Sequence, residues 1–395
     1  MMLGVLLARA GVEVLVLEKH ADFLRDFRGD TIHPSTLEIM HELGVLDDFL
    51  RRPHQELTEL RGQIGDETVT IADFSHVPTR CKFIAFIPQW EFLDFLADLG
   101  HTYPTFHLEM EAEAIDLIHQ GNRVVGLKAT TKGGEKEIYA DLVVGADGRS
   151  SRIRELAGLK VESRGAPIDV LWFRLTRHPD DGVQALGRIS AGRVMVMLNR
   201  EEYWQCAFVI GKGQFERFKE RGLEAFRNEI VSSAPFVRER VKELQDWNDV
   251  KLLTVLVDHL TEWWRPGLLC IGDTAHAMSP IGGVGINLAI QDAVAAANIL
   301  AERLRKDEVT VSDLNKVQRR RMFPTLVTQR VQVFMQERVI SRVLGSSQVQ
   351  LPWIVRLLQR SPFLRRIPAR FVGIGVRPEH VKTPNVFADR QQGIG

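Results

Sequence analysis

Residues Leu268–Gln291 read LLCIGDTAHAMSPIGGVGINLAIQ, and this order decides the fold. A short apolar run, Leu268 to Ile271, ends in Gly272-Asp273. A polar turn follows, then Pro280, then glycines at 282, 283 and 285. From Ile286 onward, through Asn287, the pattern is apolar and Ala-rich, as a buried helix requires. The stretch predicts a strand, a loop with close backbone approach and a helix N-terminus. Such a start offers unpaired N–H groups and the positive end of the helix dipole to an anion. Pro280 fixes the backbone just ahead of the glycines, which argues against a merely flexible turn.

Two further stretches upstream have the same logic. Ala140–Val144 is a buried-strand pattern that ends in Gly145-Ala146-Asp147-Gly148-Arg149-Ser150. Ser150 or Ser151 can cap the short helix that follows. At the N-terminus, Leu3–Ala10 is helix-forming, Gly11 sits at a C′ position, and Val12–Leu17 suits a strand buried on both faces. That strand ends at Glu18, whose carboxylate can accept both hydroxyls of a ribose. Ligands of open parallel sheets gather at the carboxyl ends of strands, where glycine admits a phosphate or a sugar chain to the backbone. Either Asp147-Gly148 or Gly272-Asp273 alone reads as an ordinary strand-to-helix turn. Both together, with Glu18 upstream, read as a nucleotide site.

The rest of the chain supplies the frame. A loop, Lys19–His33, holds Arg25, Arg28 and Gly29, and Pro88-Gln89-Trp90 opens a helix closed by Gly100. Leu60–Phe74 alternates like a hairpin, and Phe106–Ile118 with Arg123–Thr130 reads as another. Val170–Leu175, Val194–Leu198 and Trp204–Ile210 are strands rich in Val, Met, Trp and Phe, suited either to a sheet core or to a pocket wall. The expected architecture is α/β. A Rossmann-like parallel-sheet domain (1–74, 106–160, 261–310) is interrupted by a substrate domain (insertion and helix 75–105, mixed sheet 161–260) and followed by a helical region, 311–395.

Composition narrows the function. Lys+Arg and Asp+Glu are both 51, so charge gives no reason to expect nucleic acid. The three cysteines, Cys81, Cys206 and Cys270, have no metal-ligand spacing and read as buried, reduced thiols of a cytoplasmic protein. His20, His178 and His276 form no metal site either, and His276 reads as structural or close to a cofactor. No nucleophile–base arrangement can be picked out.

Taken together, Glu18, Arg28-Gly29, Gln89, Gly145–Ser150, Gly272–His276, Pro280 and Gly282–Asn287 resemble the single-component FAD-dependent aromatic hydroxylases, typified by para-hydroxybenzoate hydroxylase. The resemblance runs from Leu3 to about Arg305 and is most specific in GDTAHAMSPIGGVGIN. It implies FAD with its ribose on Glu18, Arg28 and Gln89 along the pyrophosphate and ribityl region, and Asp273 on the ribityl chain. Asp147 and Gly148 are linked in that family to FAD and NAD(P)H. The helix start at Gly282, Gly283, Gly285, Ile286 and Asn287, with Pro280, faces the flavin ring. It further implies that NAD(P)H reduces the flavin, O2 adds at C4a, and the hydroperoxide hydroxylates an electron-rich ring. The flavin is then the reagent, and no protein nucleophile is needed.

The family's first strand and G-x-G-x-x-G turn are missing from the sequence, and the reading expected is a shortened form of an otherwise ordinary enzyme with weakened FAD binding. The apolar strands favour an aromatic or polycyclic small-molecule substrate. The arginine-rich run Trp353–Val372 is expected to be a helical cover with a solvated basic face, ahead of a homodimer contact or a peripheral membrane contact. A related FAD-dependent reductase, or a non-enzymatic remnant, stays open as an alternative.

Overall fold

The structure, a computed structural model, describes residues 1–24, 31–181, 186–345 and 353–388. Its first helix, Met2–Arg9, is buried from Met2 to Ala8. Gly11 ends it at φ +80°. The Gly11 N–H bonds the Ala8 carbonyl and the Val12 N–H bonds that of Leu7, the two bonds of a left-handed glycine cap. The chain then enters the strand Val14–Glu18, which runs parallel to Phe106–Met110. Gly4 lets helix and strand touch, since a Cβ there would lie 2.8 Å from Val16 Cγ2. The sequence predicts burial on both faces of this strand. Among the described residues it pairs along one edge only, and Leu15 stays 42% exposed.

A second parallel pair, Val143–Gly145 with Leu268–Cys270, carries the two motif turns. Between the pairs lies an antiparallel meander of Glu113–Gln120, Arg123–Thr131 and Gly134–Tyr139. The run expected as one strand, Phe106–Ile118, is two. Glu111 takes φ +55° and breaks it, so that Phe106–Met110 joins the parallel pair instead.

A seven-stranded sheet forms the other layer, in the order Lys251–Leu253, Ile168–Thr176, Tyr203–Gly211, Arg193–Asn199, Gly187–Ser190, Glu59–Ile64, Glu67–Asp73. The hairpin at its edge corrects the grouping of residues 1–74 with the nucleotide domain. Gly62–Ile64 pairs in parallel with Gly187–Ile189, so residues 59–73 belong to this sheet. A lone hairpin is marginal in water, and a sheet edge gives it the partner it needs. The strand period of two sorts the apolar residues. Phe173, Met195, Met197, Cys206 and Phe208 form a core with Phe226 and Ile230 of the helix Leu223–Ser233. Val170, Val194, Ala207 and Val209 take the opposite face.

The helix Gly285–Arg305 packs against Met2–Arg9 and against the helix Val311–Met335. By length and apolar composition it could span a bilayer, but 72% of its apolar window is buried in the fold, which makes it a core helix. Two shorter helices, Trp353–Arg360 and Arg366–Gly373, lie against the edge strand Glu67–Asp73. The chain then returns as a strap. The Glu379 N–H bonds Gln291 Oε1, the Val381 N–H bonds Glu42 Oε2 at 2.7 Å, and the Val386 N–H bonds the Arg9 carbonyl at 3.1 Å.

Candidate functional site

The parallel pair sets Gly145 opposite Cys270, so two turns 125 residues apart leave the sheet side by side. Thr274 stitches them together. Its hydroxyl donates to Asp147 Oδ1 (3.0 Å) and accepts the Gly148 N–H (3.0 Å), and its side chain is fully buried. Asp147 Oδ1 also accepts from Ser151 Oγ (2.5 Å), and Oδ2 from the Ile153 N–H (3.1 Å). The Asp147 carboxylate thus builds the turn and starts the helix Arg152–Leu156, with Ser151 as the cap. Gly148, at φ +88° with open space on its Cβ side, is where a ligand can meet the backbone.

The second turn is held from below. Gly272, at φ +60°, donates its N–H to Asp292 Oδ2 (3.0 Å). The same oxygen lies 2.5 Å from His276 Nε2, while Asp292 Oδ1 accepts from Arg321 Nε (2.9 Å). Asp292, His276 and Arg321 are each at most 1% exposed. Burial pushes the Asp292 carboxyl up, but His276 and Arg321 outweigh it and hold the group below the usual carboxylate range. His276 also rests on the Trp263 ring, centroids 5.1 Å apart, so the histidine is structural, as one sequence reading has it. Asp292 and Arg321 are absent from the sequence reading. The available signal was an Asp inside an apolar Ala-rich helix, where an unpaired charge is too costly to persist.

Above this base Asp273 points outward, with 37% of its side chain exposed and Arg149 Nη2 4.0 Å from its carboxylate. Gly285 is next to it: an added Cβ would lie 3.9 Å from Asp273 Oδ1. Gly285 opens the 21-residue helix, whose N-cap residue, Val284, supplies no side-chain cap. Gly282 (φ +79°) and Gly283 (φ +63°) bend the chain into it, behind an exposed Pro280. A Cβ on Gly283 would strike Thr31 Oγ1 at 2.2 Å, and that hydroxyl donates to the Gly283 carbonyl at 3.0 Å. Asn287 completes the clamp. Its Oδ1 accepts from the His33 N–H (2.9 Å) and Thr36 Oγ1 (2.8 Å), and its Nδ2 donates to the carbonyls of Thr31 (3.0 Å) and Gly283 (3.2 Å). The Asn287 amide therefore locks the loop to the segment before the helix Pro34–Glu42. Ile286, in the first turn, is partly exposed.

The structure thus gathers Gly148, Gly272, Asp273, Pro280 and Gly282–Asn287 around one helix start. Glu18 stands at the end of the other parallel pair, its Oε1 accepting the His20 N–H at 3.0 Å. Gln89 opens the helix Gln89–His101, just after a strand that pairs with Thr31–Ile32. Arg28 lies outside the described residues.

The FAD binding domain family matches residues 1–330 of the chain. The chain belongs to that family. It is 31% identical over 370 residues to 6-methylpretetramide 4-monooxygenase of Streptomyces rimosus, covering 93% of this chain and 88% of that protein. It is 27% identical over 316 residues to 12-dehydrotetracycline 5-monooxygenase/anhydrotetracycline 6-monooxygenase of Streptomyces rimosus subsp. rimosus, where the match spans 74% of this chain and 59% of the relative's length. In fold it is similar to p-nitrophenol 4-monooxygenase PnpA from Pseudomonas putida DLL-E4 (TM-score 0.72, 16% identity, 93% of each chain). It is likewise similar to P. aeruginosa PqsL in complex with 2-aminobenzoylacetate (TM-score 0.72, 21% identity, 87% of this chain and 95% of that one). This flavoprotein is an oxidoreductase of the FAD-dependent monooxygenase class. The residues present suit the cofactor. Gly148 gives open backbone, Asp273 a part-exposed carboxylate for hydroxyls, and the helix start a first turn without a side-chain cap.

Proposed function

We propose that the chain hydroxylates an apolar aromatic or polycyclic small molecule, using FAD, NAD(P)H and O2. One observation carries the substrate class. The sheet face of Val170, Val194, Ala207 and Val209 packs with Ile281, which sits inside the Pro280–Gly283 turn. An aliphatic wall therefore adjoins the loop assigned to the flavin ring. Such a wall favours ring surface over a small charged acid. The relatives whose names include 6-methylpretetramide and anhydrotetracycline point the same way.

The roles follow from the residues. Asp273 accepts hydroxyls of the ribityl chain, and Glu18 those of the ribose. Gln89 lies along the ribityl region, and Gly148 lets the cofactor meet the backbone. The uncapped turn at Gly285–Asn287 presents N–H groups and a positive dipole end to the polar edge of the flavin ring. Pro280, Gly282 and Gly283 hold that turn in place. The bound FAD, once reduced by NAD(P)H, supplies the oxygen activation, and the protein positions the substrate ring and keeps water out.

The test is direct. The purified chain is examined for flavin absorbance with and without added FAD, then assayed for NAD(P)H oxidation and O2 uptake. Polycyclic phenols should stimulate both in step, and small hydroxybenzoic acids should do so weakly. Stimulation by the small acids alone would overturn the substrate class. NAD(P)H oxidation without oxygen uptake would mark a reductase instead.

A further inference from the structure

The C-terminal helices carry a surface that the flavin site does not use. Residues 311–388 hold 14 Lys and Arg against 3 Asp and Glu, in a chain whose totals balance at 51 each. Between residues 338 and 378 there is no Asp or Glu at all. The inner side of these helices is satisfied, since Ala369 and Gly373 are buried and Gly373 sits against Phe74. The outer side is not apolar or basic but both. Leu357, Phe363 and Ile367 are 45%, 66% and 64% exposed. In sequence they are interleaved with exposed Arg360, Arg366 and Arg370, and Phe363, Arg366, Ile367 and Arg370 border one cleft. Among the described residues none of these three arginines forms a salt bridge. Arg366 instead lies 5.0 Å over the Phe363 ring and 3.0 Å from His76 Nε2. Beside the ridge a cleft of about 470 Å³ opens, floored by Val77, Pro78 and Phe371, with Arg366 and Arg370 lining it alongside Asp73 and His76.

The chemistry of this face selects among partners. An acidic protein would answer the guanidinium groups but leave no reason for two outward apolar side chains at this exposure. A second copy would bring the same arginines together across a two-fold axis, in a segment with no carboxylate to meet them. An anionic bilayer answers both needs. It sets phosphates at the depth of the guanidinium groups and hydrocarbon at the depth of Phe363 and Ile367. We propose that this ridge docks the protein peripherally on an anionic membrane surface. The sequence favours a solvated basic cover for this run; the exposure of Phe363 and Ile367 on the basic side is what changes the reading. The proposal stands apart from the hydroxylation reading, because the ridge lies outside the residues assigned to flavin and substrate.

The experiment is co-sedimentation of the full chain, in excess FAD, with vesicles of phosphatidylcholine alone or with one-third phosphatidylglycerol. The wild type should partition onto the anionic vesicles about a hundredfold better, and lose most of that preference at high salt. Arg360→Glu with Arg366→Glu and Arg370→Glu should abolish the preference. Phe363→Ser with Ile367→Ser should weaken binding about tenfold at physiological salt. Unchanged melting and flavin absorbance in both variants keep the comparison clean. Three results would overturn the proposal: no binding of the wild type to anionic vesicles, arginine dependence without any Phe363/Ile367 dependence, or a dimer that the Phe363→Ser/Ile367→Ser variant splits. The second would point to an acidic macromolecule and the third to a second copy.

Discussion

Two regions meet at the Pro280–Gly283 turn, and they are built by opposite means. Below it, every side-chain polar atom of Asp147, Thr274, Asn287 and Asp292 is tied to a named partner at 2.5–3.2 Å, apart from one long contact of Thr274 with the Gly148 carbonyl. Beside it, the side chains of the sheet face, Val170, Val194, Ala207 and Val209, have only packing to fix them. Hydrogen bonds are directional and fail sharply when a partner is removed. Aliphatic packing tolerates exchange at similar volume. The cofactor end should therefore be brittle and the substrate wall adjustable.

The largest effect should come from Asp292→Ala. It takes the carboxylate from buried His276 and leaves Arg321 with Glu379 (3.3 Å) as its one remaining carboxylate among the described residues, at a cost of about 3 kcal/mol. Chemical denaturation measures it, and a loss below about 1 kcal/mol would break the contrast between the regions. Asp292→Asn, which keeps the shape, should cost less and separate charge from packing.

The next effect is one of acidity. His33 is fully buried, and burial lowers its pKa from the ordinary 6.5 to about 4, opposed in part by the bond to the Val372 carbonyl. Folding therefore disfavours the proton. This contribution is complete above about pH 6.5 and is lost as pH falls toward about 4, some ~3 kcal/mol in all. His33→Gln should flatten the stability-versus-pH curve in that window, and an unchanged slope would count against it.

Gly283→Ala comes third. The new Cβ meets Thr31 Oγ1 at 2.2 Å and a φ of +63°, so about 2 kcal/mol of strain is expected, read as weaker FAD binding and a lower melting temperature. The smallest stability effect should be Val209→Ala on the sheet face, about 1 kcal/mol. Its mark should be elsewhere: kcat/KM for bulky against small ring substrates shifts by up to about tenfold, with FAD affinity unchanged. A shift in FAD affinity instead would show that the two regions are not separable.

The same contrast explains what could be read from the chain. The Gly272–Asn287 turns were legible because backbone geometry demands glycine at particular places, and a carboxylate at a strand end has few other uses. Their supports were not. Thr31 lies 252 residues from Gly283, and Arg321 lies 29 from Asp292; nothing local joins them. In the sheet, Leu171-Trp172-Phe173 and Met195-Val196-Met197 show the alternation but not which side faces the cofactor, because that is set by tertiary packing. The hairpin at 59–73 shows its alternation in the sequence but not its layer, for the same reason: its pairing partner, Gly187–Ile189, is more than a hundred residues away.

The strap at the C-terminal end carries a further consequence, one of timing. Arg9, in the first helix, is reached by Thr383 and Val386, and Asn298 by His380 and Lys382. A ribosome releases those strap residues after nearly everything they bind. The Met2–Arg9 helix therefore waits, in an unfinished setting, until translation reaches residues 380–386. For that interval the emerging polypeptide must be kept from aggregation by something other than its own completed fold.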